Sequence, residues 1–351
     1  KAPVPGLIDM ASPEIEMTLD GQYEDRLFWY RKTFATDAGD WQVVQLKINK
    51  AKYLTRVFLN GHFIGESPYC FVPLYFDLKP FLKEKGELNE LLISVGCWNN
   101  LPDSVANGWD FEKLRYIPGI YDDVKVLLAN KPMIKDIQVV PVIEEEKLRI
   151  VTNVDAGSAD QPVILSYLVR ESVSKKELAS GSMNAGIADR NGFLIYDFQV
   201  SMPDYIPWTP EKPFLYELEL ATGADKKKTK FGMRSFSFDG DRGMAMLNGE
   251  PYFMRGTNVC IFRFFEDPDR AGLPWDREWV ARLHERFKEM HWNSIRYCIG
   301  FPPESWYEIA DSVGFLIQDE YPVWTLGESH KMGGLTPERL SLEYAAWMSE
   351  R

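Results

Sequence analysis

Carboxyl groups working in pairs can act as acid and base, and the sequence holds one adjacent pair, Asp319-Glu320, directly after the apolar run Phe315-Leu316-Ile317-Gln318. A pair that works on one bond as acid/base and nucleophile must reach that bond from both sides. Neighbours on a strand point to opposite faces, so this dipeptide cannot flank one bond. Glu320 remains as a single carboxylate at a strand end. Arg296 closes the run Asn293-Ser294-Ile295, where a strand of a βα unit presents residues to a catalytic face; a structural ion pair is the rival reading. Asn258 follows Arg255-Gly256-Thr257. Beyond it Arg263, Glu266 and Asp267 could meet a hydroxyl or a charged group, or close a salt bridge within a loop. Trp324 could stack on an apolar ring face or pack in a core. Upstream, Asp110 and Glu112 beside Trp109 offer carboxylates that could accept hydroxyl hydrogen bonds, with an exposed acidic loop as the competing reading. Glu320 has no His or carboxylate cluster beside it for a metal ion. Cys70, Cys97, Cys260 and Cys298 lie far apart without a C-x-x-C spacing, and read as buried free thiols.

The elements that must position these residues fall into three stretches. The first reads as β: Phe28-Trp29-Tyr30, Val43-Val44-Gln45-Leu46, Val57-Phe58-Leu59, Leu91 to Val95 and Val124 to Leu128 are separated by turn signals, and Asn60-Gly61 predicts a tight hairpin. Pro132 marks a seam. A second β set then runs through Ile137 to Val140, Leu148 to Val151, Val163 to Tyr167, Phe193 to Tyr196 and Leu215 to Leu220. After about residue 236 the pattern changes to alternating strands and helices. A strand over Tyr252 to Gly256 precedes a helix from Asp276 to His291, whose apolar Trp279, Val280, Leu283, Phe287 and Met290 share a face. A strand over Asn293 to Cys298 leads to a helix between Pro302-Pro303 and Gly314, then the strand Phe315 to Gln318; Thr336-Pro337-Glu338 predicts one more helix start. Such alternation indicates a doubly wound sheet or a (β/α)8 barrel.

Charge narrows the partners. A net charge of −12 argues against binding nucleic acid through its phosphates, and Lys226-Lys227-Lys228 with Lys230 reads as a solvated hairpin turn. No apolar run reaches membrane-spanning length, which argues against a membrane partner, and nothing resembles a signal peptide. The chain opens on Lys1-Ala2-Pro3 without an initiator Met, so the compartment stays open between periplasmic, secreted and cytoplasmic.

Taken in order, several segments resemble glycoside hydrolase family 2. They are Asp25 to Phe34, Leu59-Asn60-Gly61-His62-Phe63-Ile64-Gly65, Phe76-Asp77-Leu78, and Pro118-Gly119-Ile120-Tyr121-Asp122-Asp123-Val124. Trp208 to Tyr216, Phe231-Gly232-Met233-Arg234, Leu247-Asn248-Gly249-Glu250-Pro251, Met254 to Asn258, Asn293 to Arg296 and Ala310 to Glu320 continue the series. The resemblance implies three units: a jelly-roll sugar-binding domain over 1–130, an immunoglobulin-like sandwich over 131–236, and over 237–351 the first part of a TIM-barrel catalytic domain. It further implies a retaining exo-β-glycosidase, a β-galactosidase first; a non-catalytic carbohydrate-binding or interaction fragment is the alternative reading. In the family the acid/base follows an Asn at the fourth barrel strand and the nucleophile lies later, so both glutamates are expected beyond residue 351, on the remainder of the barrel or a completing chain. By the same resemblance Arg296 orients or charge-stabilises those carboxylates. Glu320 lines the site, with a structural divalent cation as its lesser alternative; no cofactor is required, and a homo-oligomer stays open. Asn258-Val259-Cys260 and Tyr297-Cys298-Ile299-Gly300 depart from family positions where many or some members carry His, which leaves the sugar undetermined.

Overall fold

The computed structural model describes residues 1–16, 26–36, 40–102, 105–108, 113, 115–158, 162–322 and 345. Among the described residues, nine strands belong to the first stretch: β1 (Leu27–Phe34), β2 (Val43–Ile48), β3 (Ala51–Lys52), β4 (Thr55–Leu59), β5 (His62–Ser67), β6 (Leu74–Asp77), β7 (Asn89–Gly96), β8 (Gly119–Ile120) and β9 (Val124–Ala129). They form antiparallel sheets in the orders β1-β7-β4-β5 and β6-β2-β9, with β3 and β8 as a small ladder alongside. Alternation drives the packing. Val44, Leu46 and Ile48 of β2, Val57 and Leu59 of β4, and Leu74 and Phe76 of β6 turn inward to one core. Each such buried aliphatic side chain contributes about 1.5–3 kcal/mol. The predicted hairpin joins β4 to β5, with Leu59 opposite His62 and both Asn60 (φ 52°) and Gly61 (φ 85°) left-handed, as the tight turn requires.

A second sandwich follows from β10 (Met133–Val142), β11 (Lys147–Asp155), β12 (Pro162–Glu171), β13 (Glu177–Ile187), β14 (Phe193–Ser201), β15 (Tyr216–Ala221) and β16 (Lys226–Phe231). Its sheets run β10-β11-β14 and β13-β12-β15-β16, and Leu148, Ile150, Val163, Leu165, Leu218 and Leu220 fill the space between them. The lysines of 226–230 therefore lie along strand β16 and not in a turn, which falls at Thr222–Asp225. Lys226 and Lys228 face Glu217 and Glu219 of β15, and opposite charges side by side make a polar strand face tolerable.

A short antiparallel sheet, β17 (Phe236–Asp239), β18 (Met244–Leu247) and β19 (Glu250–Tyr252), leads to the last unit. The strand expected over Tyr252 to Gly256 is split: β19 ends at Tyr252 and β20 (Gly256–Cys260) starts a new sheet. Gly256 is needed there, because a Cβ would lie 1.7 Å from the Ser294 carbonyl oxygen of the neighbouring strand. Helix α1 (Ile261–Phe265) and helix α2 (Arg277–Glu289) lead to β21 (Ser294–Cys298), and helix α3 (Glu304–Val313) leads to β22 (Leu316–Asp319). The three strands are parallel in the order β20-β21-β22. Asp276 caps α2 by accepting from the amides of Glu278 and Trp279, and Gly314 ends α3 in the left-handed region at φ 99°. Among the described residues no helix is long and apolar enough to cross a membrane.

Candidate active site

The parallel register sorts the side chains of β20, β21 and β22 onto two faces. Val259, Ile295 and Tyr297 point to one side and pack with Trp306, Ile309, Ala310 and Phe315 into a core under the helices. His284 of α2 sits in that core, donating from Nδ1 to Val280 O (2.8 Å) and accepting at Nε2 from the Tyr297 hydroxyl (3.2 Å); burial pushes its pKa down, so it is a neutral core imidazole. The opposite face is polar. Asn258 stands beside Arg296 and Arg296 beside Gln318, forming one layer across the sheet. One step along, Cys260 stands beside Cys298, with Glu320 just past the end of β22.

Three of the residues singled out in the sequence meet on this face. Arg296 Nη2 lies 2.8 Å from Glu320 Oε1, and Arg296 Nη1 donates to Asn258 Oδ1 at 3.5 Å. The second oxygen of Glu320 accepts the Ile299 amide at 3.1 Å. A guanidinium held between an amide oxygen and a carboxylate presents its remaining N–H groups in a fixed direction. Both charged side chains keep about a third of their surface open, at 35% and 27%. Asp319 points the other way and accepts the Tyr307 hydroxyl of α3 at 2.7 Å, so the adjacent carboxylates serve different faces.

The other candidates scatter. Arg263 is exposed on α1. Asp267 caps a turn through the Asp269 amide. Glu266 is buried, 2.6 Å from Lys52 of β3, and also accepts the Ile117 amide. Its role is architectural, a salt bridge to the first sandwich. Trp109, Asp110, Glu112 and Trp324, with the helix start at Thr336, lie outside the described residues. Near the first group, the Gly108 amide donates to Pro322 O at 3.1 Å, which ties the first sandwich to the chain just after Glu320. The sequence reading missed the thiol pair: Cys260 and Cys298 Sγ atoms stand 3.5 Å apart. Burial raises the pKa of Cys298, as do its hydrogen bonds to Cys260 and Glu320. Reading residues i and i+2 across three parallel strands at once is the signal that would have found it. Among the described residues no three His, Cys, Asp or Glu side chains gather into a metal-holding group.

Two antiparallel sandwiches leading into a parallel βαβαβ unit, with charged residues at the carboxyl ends of its strands, define a modular β-rich protein of the kind that hosts enzymes. Comparison with known proteins gives the family. The family described as glycosyl hydrolases family 2 matches residues 133–234, and its galactose-binding domain-like module matches residues 11–105, together more than half of the chain. The chain belongs to glycoside hydrolase family 2. It is 26% identical over 286 residues to a β-galactosidase of Oenococcus oeni, covering 77% of this chain and 26% of that protein. It is 25% identical over 303 residues to a β-galactosidase of Thermoanaerobacter pseudethanolicus, covering 84% of this chain and 39% of that protein. The crystal structure of a Bacteroides uniformis β-glucuronidase superposes with a TM-score of 0.73 at 21% identity, covering 97% of this chain and 42% of that one. The chain thus spans well under half the length of these relatives.

Proposed function

We propose that this chain is the amino-terminal part of a retaining exo-β-glycosidase, acting on terminal β-galactosides. The units are a jelly roll over 1–130, an immunoglobulin-like sandwich over 131–236, and from 237 the opening βα units of a (β/α)8 barrel. The observation that carries this reading is the Asn258–Arg296–Glu320 constellation, on the sheet face opposite helices α2 and α3, at the carboxyl ends of parallel strands. In a closed barrel that face is the interior. Family membership and the β-galactosidases among the relatives support the substrate class.

In this reading the acid/base and the nucleophile sit on later βα units, and Arg296 is a positioning residue. Its guanidinium, anchored by Glu320, holds a negative carboxylate in place and favours its ionised form. Asn258 and, on the neighbouring loops, Arg263, Trp324, Asp110 and Glu112 are proposed to meet sugar hydroxyls or the ring face. A β-glucuronide is the second reading, favoured by the β-glucuronidase that superposes on the fold. No cofactor is part of either mechanism.

Intact mass spectrometry followed by a panel of nitrophenyl β-glycosides tests the proposal. The expected result is release from the β-galactoside by the species that carries the whole barrel, and no turnover by these 351 residues alone. Turnover of none of the sugars by the full-length protein, with measurable sugar binding by the chain, would reassign it as a carbohydrate-binding module.

A further inference from the structure

We propose that Cys260 and Cys298 are a modification site, forming a reversible intramolecular disulfide by exchange with a small-molecule disulfide such as oxidised glutathione. The two thiols are 38 residues apart in sequence, yet they are directly paired Cα partners on adjacent parallel strands. Neighbouring strands run about 4.8 Å apart, inside the roughly 4.4–6.8 Å that disulfides bridge. The sulfur atoms already stand 3.5 Å apart, so side-chain rotation brings them to bonding distance without opening the sheet. Cys70 and Cys97, by contrast, are each 2% exposed in the core shared by the first sandwich and the parallel unit.

The pair is asymmetric, and the asymmetry sets the order of events. Cys260 is partly exposed on that face, while Cys298 is buried and hydrogen-bonded to Cys260 and Glu320. Those surroundings keep Cys298 protonated, so Cys260 is the thiol that starts the exchange. The Cys260 thiolate attacks one sulfur of oxidised glutathione and expels a glutathione thiolate, leaving a mixed disulfide. Cys298 then gives its proton to the Glu320 carboxylate, which passes it to solvent, and attacks Cys260 Sγ. The second glutathione thiolate leaves. Both protein thiols are oxidised, one glutathione disulfide is reduced to two thiols, and the two protons released protonate the leaving thiolates. Once oxidised, Cys298 no longer donates to Glu320, so the bond changes the carboxylate that anchors Arg296. Disulfide formation here follows from the paired register and the 3.5 Å between the thiols, and is independent of the glycosidase reading.

The test is incubation of the folded chain with oxidised glutathione, acid quench, alkylation of remaining thiols, and non-reducing peptide mapping by mass spectrometry. The expected product has lost about 2 Da without an adduct, contains one linked peptide joining Cys260 to Cys298, and returns to the starting mass with dithiothreitol. Cys298→Ser is expected to stop at a single glutathione adduct on Cys260, and Cys260→Ser to leave Cys298 unmodified. A wild-type product that ends as a stable glutathione adduct, stays unmodified, or links Cys70 or Cys97 overturns the proposal. Where a serine variant does not fold, the wild-type map decides alone.

Discussion

Two groups of charges beside the parallel unit are built differently. Between the first sandwich and the helices, Lys50 reaches Asp122 and Glu304, both at 2.8 Å, and Lys52 reaches Glu266 at 2.6 Å, with Lys113 at 3.4 Å from the same carboxylate. Arg270 pairs with Asp9 at 2.6 Å beside them. Lys50, Lys52, Lys113 and Glu266 are 1–3% exposed, and Lys52 lies 4.3 Å above the Phe262 ring. Burial pushes the Lys52 pKa down while Glu266 opposes the shift. On the other face of the sheet, Arg296 and Glu320 make an equally short contact with a third of each side chain open. Distance is the same in the two groups and desolvation is not. An ion in the buried group cannot lose its partner without being stranded, whereas the open pair can exchange partners with water or a ligand. The buried group holds two units together; the open one keeps both its charges in reach of solvent.

That contrast is broken most directly at Glu266. Glu266→Ala leaves Lys52 and Lys113 facing each other without their carboxylate, and the expected cost is about 3–5 kcal/mol, read as a lowered urea midpoint. Replacing the three charges together, as Lys52→Met and Lys113→Met with Glu266→Leu, is expected to recover most of the loss. A loss below about 1 kcal/mol for Glu266→Ala would show that the junction is solvated.

A smaller effect is expected at the other junction. Trp208 is fully buried, donates from Nε1 to the Asp311 carbonyl at 2.8 Å, and lies 4.3 Å beneath the Arg234 guanidinium, which also pairs with Asp311. This residue latches the second sandwich to α3. Trp208→Phe keeps the apolar body but strands the carbonyl, for an expected loss of about 1–3 kcal/mol in the same unfolding measurement. If the loss falls on the second sandwich alone, seen as a separate transition, the latch does not couple the units.

These residues mark where the sequence was legible. Alternation in β2 and β4, the Asn60-Gly61 turn, the helix start at Asp276 and the Gly314 stop are local signals, and each produced its element within a residue or two. Strand β13, Glu177–Ile187, had no such signal. It is rich in Ala, Ser and Gly, and it is a strand because β12 pairs with it; Gly181 lets the Tyr167 ring lie where a Cβ would come within 2.7 Å. The lysines of β16 misled because solvated charge resembles a turn until the facing Glu217 and Glu219 are known. Asn258, Arg296 and Glu320 could be named individually from strand ends, but their meeting depends on parallel register over 62 positions of chain. Lys52 was invisible for a deeper reason: composition predicts lysine outside, and only its tertiary partner reverses that.

Between the buried and open extremes stands Glu217. Arg170 above all, helped by Lys175, holds its carboxyl down to about 2, while the cations themselves remain partly in water. Because the folded value lies below the unfolded one, the contribution is complete above about pH 5 and is lost as pH falls toward 2. Screening keeps it to roughly 1 kcal/mol. The melting temperature is expected to fall more steeply between pH 5 and 3 in the wild type than in Glu217→Gln, and parallel acid limbs would remove Glu217 from the account.

The smallest effect on stability is expected at Arg296, and it sharpens the comparison best. Arg296→Ala frees Glu320 into solvent at a cost below about 1 kcal/mol, since neither partner is buried. In the full-length protein, on the proposed function, the same change also removes a preorganised cation from the reaction face. A loss of about 100- to 1000-fold in kcat is expected, with KM changed far less. Arg296→Lys restores charge but not the fork that reaches Asn258 and Glu320 together, so it should recover only part of kcat. A purely structural ion pair predicts the reverse pattern, with unfolding and kcat declining together and lysine rescuing both. If kcat on the best nitrophenyl glycoside is untouched while the urea midpoint drops as it does for Glu266→Ala, this face is a packing surface, and the reacting carboxylates must be held by other residues.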